Sequence, residues 1–350
     1  MGQALTPEPA EAPPTRLVIR APNWLGDAVM ALPAMAAVRA AYPAAHLTVA
    51  AQAAVAPLFE ENTPVAADAI LTVTPAGEAA TLAAGGFDAA LLLPNSFRAA
   101  RAAKQAGIAG RWGYAGNWRG WMLTRAVRRP RALVHQTEYY AALVRGLGIP
   151  VGSTLPALAA RPETLRRADL LLASHGVSAA PLVGFAPGAA YGHAKRWPPA
   201  RVAEVITRLA AERGATCVIV GAAGDRDAAR EIESGLPSGV RIVDLVGRTD
   251  LRQLAGVLAR CDAFVSNDSG GMHLAAALGV PVIVMFGPTD DRVTAPPAGH
   301  DVLVHPVFCR PCMLRDCPID HRCMTGITAA AVFGAVAARL DAGTLRAENQ

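Results

Sequence analysis

Ala263-Phe264-Val265-Ser266 runs directly into Asn267-Asp268-Ser269-Gly270-Gly271-Met272-His273, and the reading of this stretch decides the fold. An apolar run of strand length ends at Ser266, and the pattern predicts a helix starting near Gly270, with Asn267, Asp268 and Ser269 suited to capping it. Gly270 and Gly271 carry no side chains, so a ligand can approach the backbone amides, and the positive end of a helix favours phosphate. An ordinary capped helix with a satisfied histidine is the plainer reading of the same residues. His273 either donates to the anion or holds the loop. The Asp268 carboxylate repels phosphate, so its expected partner is a sugar hydroxyl or a loop amide.

The neighbouring segments repeat the pattern. Residues 182–186, 216–220, 241–244 and 281–286 are strand candidates in the same half of the chain, and 16–21, 46–50, 69–73 and 88–93 are strand candidates in the other. Helical segments alternate with them, including 28–41 with Pro33 near its first turn, and a terminal helix is predicted over 328–340. Alternation of this kind predicts parallel sheets covered on both faces, so the fold class is α/β with two sheets in series. A Pro-containing stretch and a Leu- and Arg-rich helix separate the two halves. The expected division is a flexible tail at 1–15, a first domain at 16–162, a connection at 163–178, a second domain at 179–327, and a terminal helix and tail at 328–350.

Composition sets the limits. The chain has 350 residues, 52% hydrophobic and 17% charged, which suits two packed domains and argues against general disorder. A net charge of +5 fits an anionic substrate or membrane surface as readily as nucleic acid. Basic residues concentrate at Arg98, Arg101, Lys104, Arg111, Arg119, Arg125, Arg128, Arg129 and Arg131, among Trp112, Tyr114, Trp118 and Trp121. They form either a solvated face or an acceptor or membrane surface. No secretion signal and no uninterrupted apolar run of membrane-spanning length is visible, so a cytoplasmic protein, at most peripheral to a membrane, is expected.

Four segments lie where a predicted strand turns into a helix, the place where open α/β sheets bind ligands. They are Asn23-Trp24-Leu25-Gly26-Asp27, Pro94-Asn95-Ser96, Pro187-Gly188-Ala189-Ala190 and the run from Ser266. Lys195-Arg196-Trp197-Pro198 follows the third, and a lysine beside a Gly-containing turn can neutralise a diphosphate leaving group. No Gly-Lys-Ser or Gly-Lys-Thr occurs, which excludes a nucleotide P-loop, and no Gly-x-Gly-x-x-Gly follows a predicted strand. Asp27 either stabilises its helix N-terminus or, facing Lys195 across a cleft, acts as general base on an acceptor hydroxyl. Cys309, Cys312, Cys317 and Cys323, with His321 among them, supply ligands enough for a structural zinc, or else are reduced or redox-labile thiols. Cys217 and Cys261 read as core residues.

Taken together, Trp24-Leu25-Gly26-Asp27, Leu93-Pro94-Asn95-Ser96-Phe97, Pro187-Gly188-Ala189, Lys195-Arg196-Trp197-Pro198, Asn267-Asp268-Ser269-Gly270 with His273, and Phe286-Gly287-Pro288-Thr289 resemble glycosyltransferase family 9, the bacterial heptosyltransferases of the lipopolysaccharide inner core. Their order and spacing cover nearly the whole chain. The resemblance implies a GT-B fold, two Rossmann-like domains facing a central cleft, and an inverting single displacement that requires no cofactor. It implies an ADP-heptose donor in the second half and a lipid A-Kdo-heptose acceptor in the first, at the inner leaflet of the inner membrane and without nucleic acid. The Leu93–Phe97 motif and the cysteine-containing tail resemble members that extend the first heptose; transfer of that first heptose or of another nucleotide sugar is the alternative, and a non-catalytic module that binds a nucleotide sugar is the reading from a different class. On this resemblance Asp27 and Lys195 are catalytic, and Gly188, Ala189, Lys195, Asp225, Asp268, Ser269, Gly270 and His273 bind the donor. Asn95, Ser96 and Arg98 are the expected acceptor contacts.

Overall fold

A computed structural model describes residues 12–177, 181–189, 191–297 and 299–348. Positions 1–11 of the expected tail, 178–180 at the connection, Ala190 of the Pro187 turn and the last two residues lie outside them. Two parallel sheets of six strands follow one another along the chain. The first holds β1 (Arg16–Arg20), β2 (His46–Ala51), β3 (Ala69–Thr72), β4 (Ala89–Leu92), β5 (Gly110–Tyr114) and β6 (Arg125–Val127) in the order β3-β2-β1-β4-β5-β6. The second holds β7 (Leu182–Ala186), β8 (Thr216–Ile219), β9 (Ile242–Asp244), β10 (Ala263–Asn267), β11 (Val282–Phe286) and β12 (Asp301–Val304) in the order β12-β11-β10-β7-β8-β9.

The two orders are the same order. In each half the first strand is central, the next two extend one side, and the fourth to sixth extend the other. The direction of winding reverses between β1 and β4 and again between β7 and β10, and a crevice opens at the carboxyl ends of strands flanking such a reversal. The segments leaving these four strands are the four singled out from sequence. Both sheets are covered on both faces: Leu17 and Ile19 of β1 enter one core while Val18 enters another.

Three strands were not expected from sequence. β5 and β6 lie inside the basic stretch, and their short, Arg-containing sequences hide the apolar pattern. The arginines are partly structural: Arg111 Nε donates to the Met122 carbonyl at 2.6 Å, Arg119 is fully buried with Nε on the Tyr114 carbonyl at 3.0 Å, and the Arg125 guanidinium lies 5.3 Å from the centre of the Trp112 ring. A uniformly solvated basic face is therefore corrected. β12 is the third.

The first helix, Leu25–Ala41, begins three residues before the expected start, because the Trp24 carbonyl accepts from Ala28 N at 2.9 Å. This places Gly26 and Asp27 in the first turn and leaves Pro33 in the interior. The helix Pro162–Ser174 packs on the helix Leu251–Ala259 so closely that a Cβ on Gly256 would lie 2.7 Å from the Thr164 carbonyl oxygen. Glu61 holds the same region from the first half, accepting from Arg161 N and Thr164 Oγ1, each at 2.7 Å. The terminal helix, Ala329–Glu348, contributes Val332, Phe333 and Val336 to the second core.

Candidate active site

On the first half, the turn after β1 is fixed by a buried guanidinium. Arg20 Nε contacts Glu78 Oε1 at 2.7 Å, both side chains being 2% exposed, and Arg20 Nη2 donates to Asn23 Oδ1 at 2.7 Å. The turn delivers Asp27 to the cleft. Tyr140, from the helix Gln136–Gly146, donates its hydroxyl to Asp27 Oδ1 at 3.2 Å, and Gln136 also hydrogen-bonds the carboxylate. Burial holds the Asp27 pKa above the usual carboxylate range; the bond from Tyr140 opposes this and the nearby Asp268 charge adds to it.

On the second half, Asn267 joins three segments. Its Nδ2 donates to the Pro187 carbonyl at 2.7 Å and its Oδ1 accepts from Trp197 N at 3.1 Å. Trp197, 1% exposed, is anchored in turn by its indole N–H on the Ile327 carbonyl at 3.0 Å. Asn267 thus ties together the turn after β7, the lysine segment and the end of β10. Lys195 Nζ lies 2.5 Å from Asp268 Oδ2, and Thr289 Oγ1 donates to the same oxygen at 2.8 Å. The sequence did not anticipate this ion pair for Asp268. Ser269 Oγ lies 3.0 Å from Ser266 Oγ, and among the described residues no side chain caps the helix Gly270–Ala277. The three residues expected to cap it hold other partners, so among the described residues its first-turn amides have no side-chain acceptor.

The two halves meet at glycines. A Cβ on Gly26 would lie 2.8 Å from His273 Cδ2, and a Cβ on Gly270 would lie 3.0 Å from Leu25 Cβ. His273 is buried, which pushes its pKa down to about 4, so it stands in the cleft as a neutral imidazole. On one side of this contact a cavity of about 620 Å³ is lined by Asp27, Gln136, Lys195, Asp268, His273 and Arg315. On the other side a second cavity, also about 620 Å³, is lined by Gly188, Ala189, Val220, Asp225, Leu251 and Leu254. Ser269 and Gly270 line both. Asp225 accepts from Ala222 N at 3.0 Å and lies 3.3 Å from Arg196 Nη2; a Cβ on Gly188 would overlap its carboxyl group.

The family model for glycosyltransferase family 9 (heptosyltransferase) matches residues 79–322. The chain belongs to glycosyltransferase family 9. It is therefore a glycosyltransferase, and its two facing sheets are the GT-B architecture. Lipopolysaccharide heptosyltransferase 2 of Salmonella typhimurium is 34% identical over 312 residues, covering 83% of this chain and 87% of that protein. The Escherichia coli K12 protein of the same name is 33% identical over 315 residues, with the same shares covered. The solved structure of E. coli ADP-heptose lps heptosyltransferase II superposes with a TM-score of 0.81 at 28% identity, covering 94% of this chain and 99% of that one.

Not every expected site residue of this family 9 chain reaches the cleft cavities. Asn95 is engaged by Tyr139 Oη at 2.9 Å and by Arg119 Nη2 at 3.3 Å, and Ser96 Oγ accepts from Ala99 N at 3.2 Å as a helix cap. Arg98 is exposed on the helix Phe97–Gln105. The zinc alternative finds no support in the geometry: among the described residues no group of three or more His, Cys, Asp or Glu side chains is placed to hold a metal ion. Cys323 is buried against Gly287, and His321, in the left-handed region at φ 53°, gives its backbone N–H to Cys317 Sγ at 3.4 Å. Sequence reasoning did not assign Tyr140, Gln136 or Arg315 to the cleft. It quoted Thr289 in a motif without giving it a role.

Proposed function

We propose that this chain transfers a heptose from ADP-L-glycero-D-manno-heptose to the first heptose of the lipopolysaccharide inner core by inverting single displacement. Asp27, ionised, takes the proton of an acceptor hydroxyl as that oxygen attacks the donor's anomeric carbon. The bond from that carbon to the departing phosphate breaks, and the electron pair leaves with ADP. Lys195, the turn at Gly188 and Ala189, and the uncapped amides at Ser269 and Gly270 stabilise the negative charge that develops. The second cavity takes the nucleoside, with the base among Val220, Leu251 and Leu254 and a ribose hydroxyl on Asp225; the first takes the sugar. Asp268 holds Lys195 in place, and neutral His273 keeps the two helix starts together.

The observation that carries this reading is the single cavity that joins Asp27 of one half to Lys195 and Asp268 of the other. Residues 16–162 then serve the acceptor and 179–327 the donor. Asn95 and Ser96 act by shaping the acceptor-side turn, and Arg98 meets an acceptor anion directly. The transfer step needs no cofactor in this reading. The test is turnover of ADP-heptose on acceptors bearing no heptose or one heptose. Turnover on the one-heptose acceptor, abolished by Asp27→Ala with ADP binding retained, is the expected result; turnover only on the heptose-free acceptor overturns the assignment to the second heptose.

A lipid-linked acceptor brings the enzyme to the cytoplasmic face of the inner membrane. No described helix is long and apolar enough to cross a membrane, and the contact proposed is a peripheral one. Trp118 and Trp121 are 91% and 68% exposed, and Lys104 Nζ lies 4.0 Å from the centre of the Trp121 ring. Arg98, Arg101 and Lys104 share the exposed face of their helix, and no Asp or Glu occurs between Asp88 and Glu138. Interfacial aromatics beside uncompensated cations fit an anionic leaflet.

A further inference from the structure

We infer that Arg315, on the cysteine-bearing loop, is the second cation of the leaving-group site and contacts the donor diphosphate directly. The inference rests on the transferase reading above. The cavity containing Asp27 is lined by two cations, Lys195 and Arg315, and by three carboxylates, Asp27, Asp268 and Asp290. Lys195 is paired with Asp268, and Asp290 is paired with Arg292 from outside the lining. The neighbouring arginines are committed too, Arg196 to Asp225 and Arg310 to Asp291. Among the described residues Arg315 has no carboxylate partner. A diphosphate gains charge as the glycosidic bond to it breaks, and a lysine already balanced by a carboxylate meets that demand only in part.

The loop is built to hold Arg315 beside Lys195. The Arg315 carbonyl accepts from Ala194 N at 2.9 Å, and Gly192 leaves room for that approach, since a Cβ there would overlap the same carbonyl. Tyr191 donates its hydroxyl to the Met313 carbonyl at 2.8 Å. The Tyr191 ring then carries both cations, with Lys195 Nζ 4.7 Å and Arg315 Cζ 5.3 Å from its centre. Two cations held on one ring, of which only Lys195 is paired with a carboxylate, form an electropositive pair in the cavity lining. A planar guanidinium offers paired N–H donors matched to phosphate oxygens.

The test compares Arg315→Ala, Arg315→Lys and Lys195→Ala in binding ADP and adenosine and in turnover. With Arg315→Ala, ADP affinity falls about tenfold and kcat about a hundredfold, adenosine affinity is unchanged, and Arg315→Lys recovers part of both losses. Unchanged ADP binding in Arg315→Ala, or equal weakening of ADP and adenosine, overturns the inference; the latter assigns Arg315 to packing on Tyr191. If Lys195→Ala weakens ADP while Arg315→Ala does not, the inference alone fails. If neither weakens ADP, the diphosphate site itself is misplaced and the transferase reading of this cavity fails with it.

Discussion

The Lys195–Asp268 pair can be separated into what it does for the fold and what it does for the donor. Its side chains are 11% and 8% exposed at 2.5 Å, so removing either partner leaves a largely desolvated charge, with Thr289 as the remaining partner when Lys195 is lost. Such a loss costs about 3–5 kcal/mol, a large share of the roughly 5–15 kcal/mol that stabilises a typical protein. Lys195→Ala and Asp268→Ala should each lower the unfolding free energy by that amount, read as a fall in the urea midpoint. Lys195→Met with Asp268→Leu should restore most of it, because an apolar pair of similar volume carries no stranded charge. Binding should not follow stability. If Lys195 meets the diphosphate, the double variant regains its urea midpoint yet stays about 2–4 kcal/mol short in stabilising the transition state. Recovery of ADP affinity and turnover along with stability would show that Lys195 serves only as Asp268's counter-ion, and would refute its role at the leaving group.

Two further outcomes follow from the same geometry. Asp27 must be ionised to accept a proton, so kcat/KM should fall on acidification through its raised pKa; Tyr140→Phe removes the hydrogen bond that lowers this pKa and should move the acid limb to higher pH, and an unmoved limb with intact folding would separate Asp27 from the pH dependence. Sedimentation with vesicles containing about 30% anionic lipid should retain the parent, and should lose it at high salt or with Trp118→Ser and Trp121→Ser combined; equal retention on neutral vesicles would count against the anionic-leaflet reading.

The sequence was most legible where chemistry and local conformation coincide. Gly270 after a strand of Ala, Phe, Val and Ser marks a turn whichever partner it meets, and the repeated strand-to-helix pattern placed four such turns before any topology was known. The strand orders explain why those four belong together, as they flank the two reversals of winding. The pattern failed where long-range contacts override local propensity. Asn267, Asp268 and Ser269 have the composition of a helix cap, yet Asn267 is taken by Trp197 and Pro187 and Asp268 by Lys195, partners 70 or more residues away in sequence. The same holds for the basic stretch, where Arg111 and Arg119 turn inward to backbone carbonyls while Arg98 and Arg101 face solvent; composition gives them one character and packing gives them two. Tyr140 reaches Asp27 across 113 residues, and no local signal marks it. The diversion of the capping residues joins these failures to the proposed site: polar side chains suited to closing the helix start at Gly270 instead hold Lys195 and the Pro187 turn, and the first-turn amides are left for the diphosphate in the transfer proposed above.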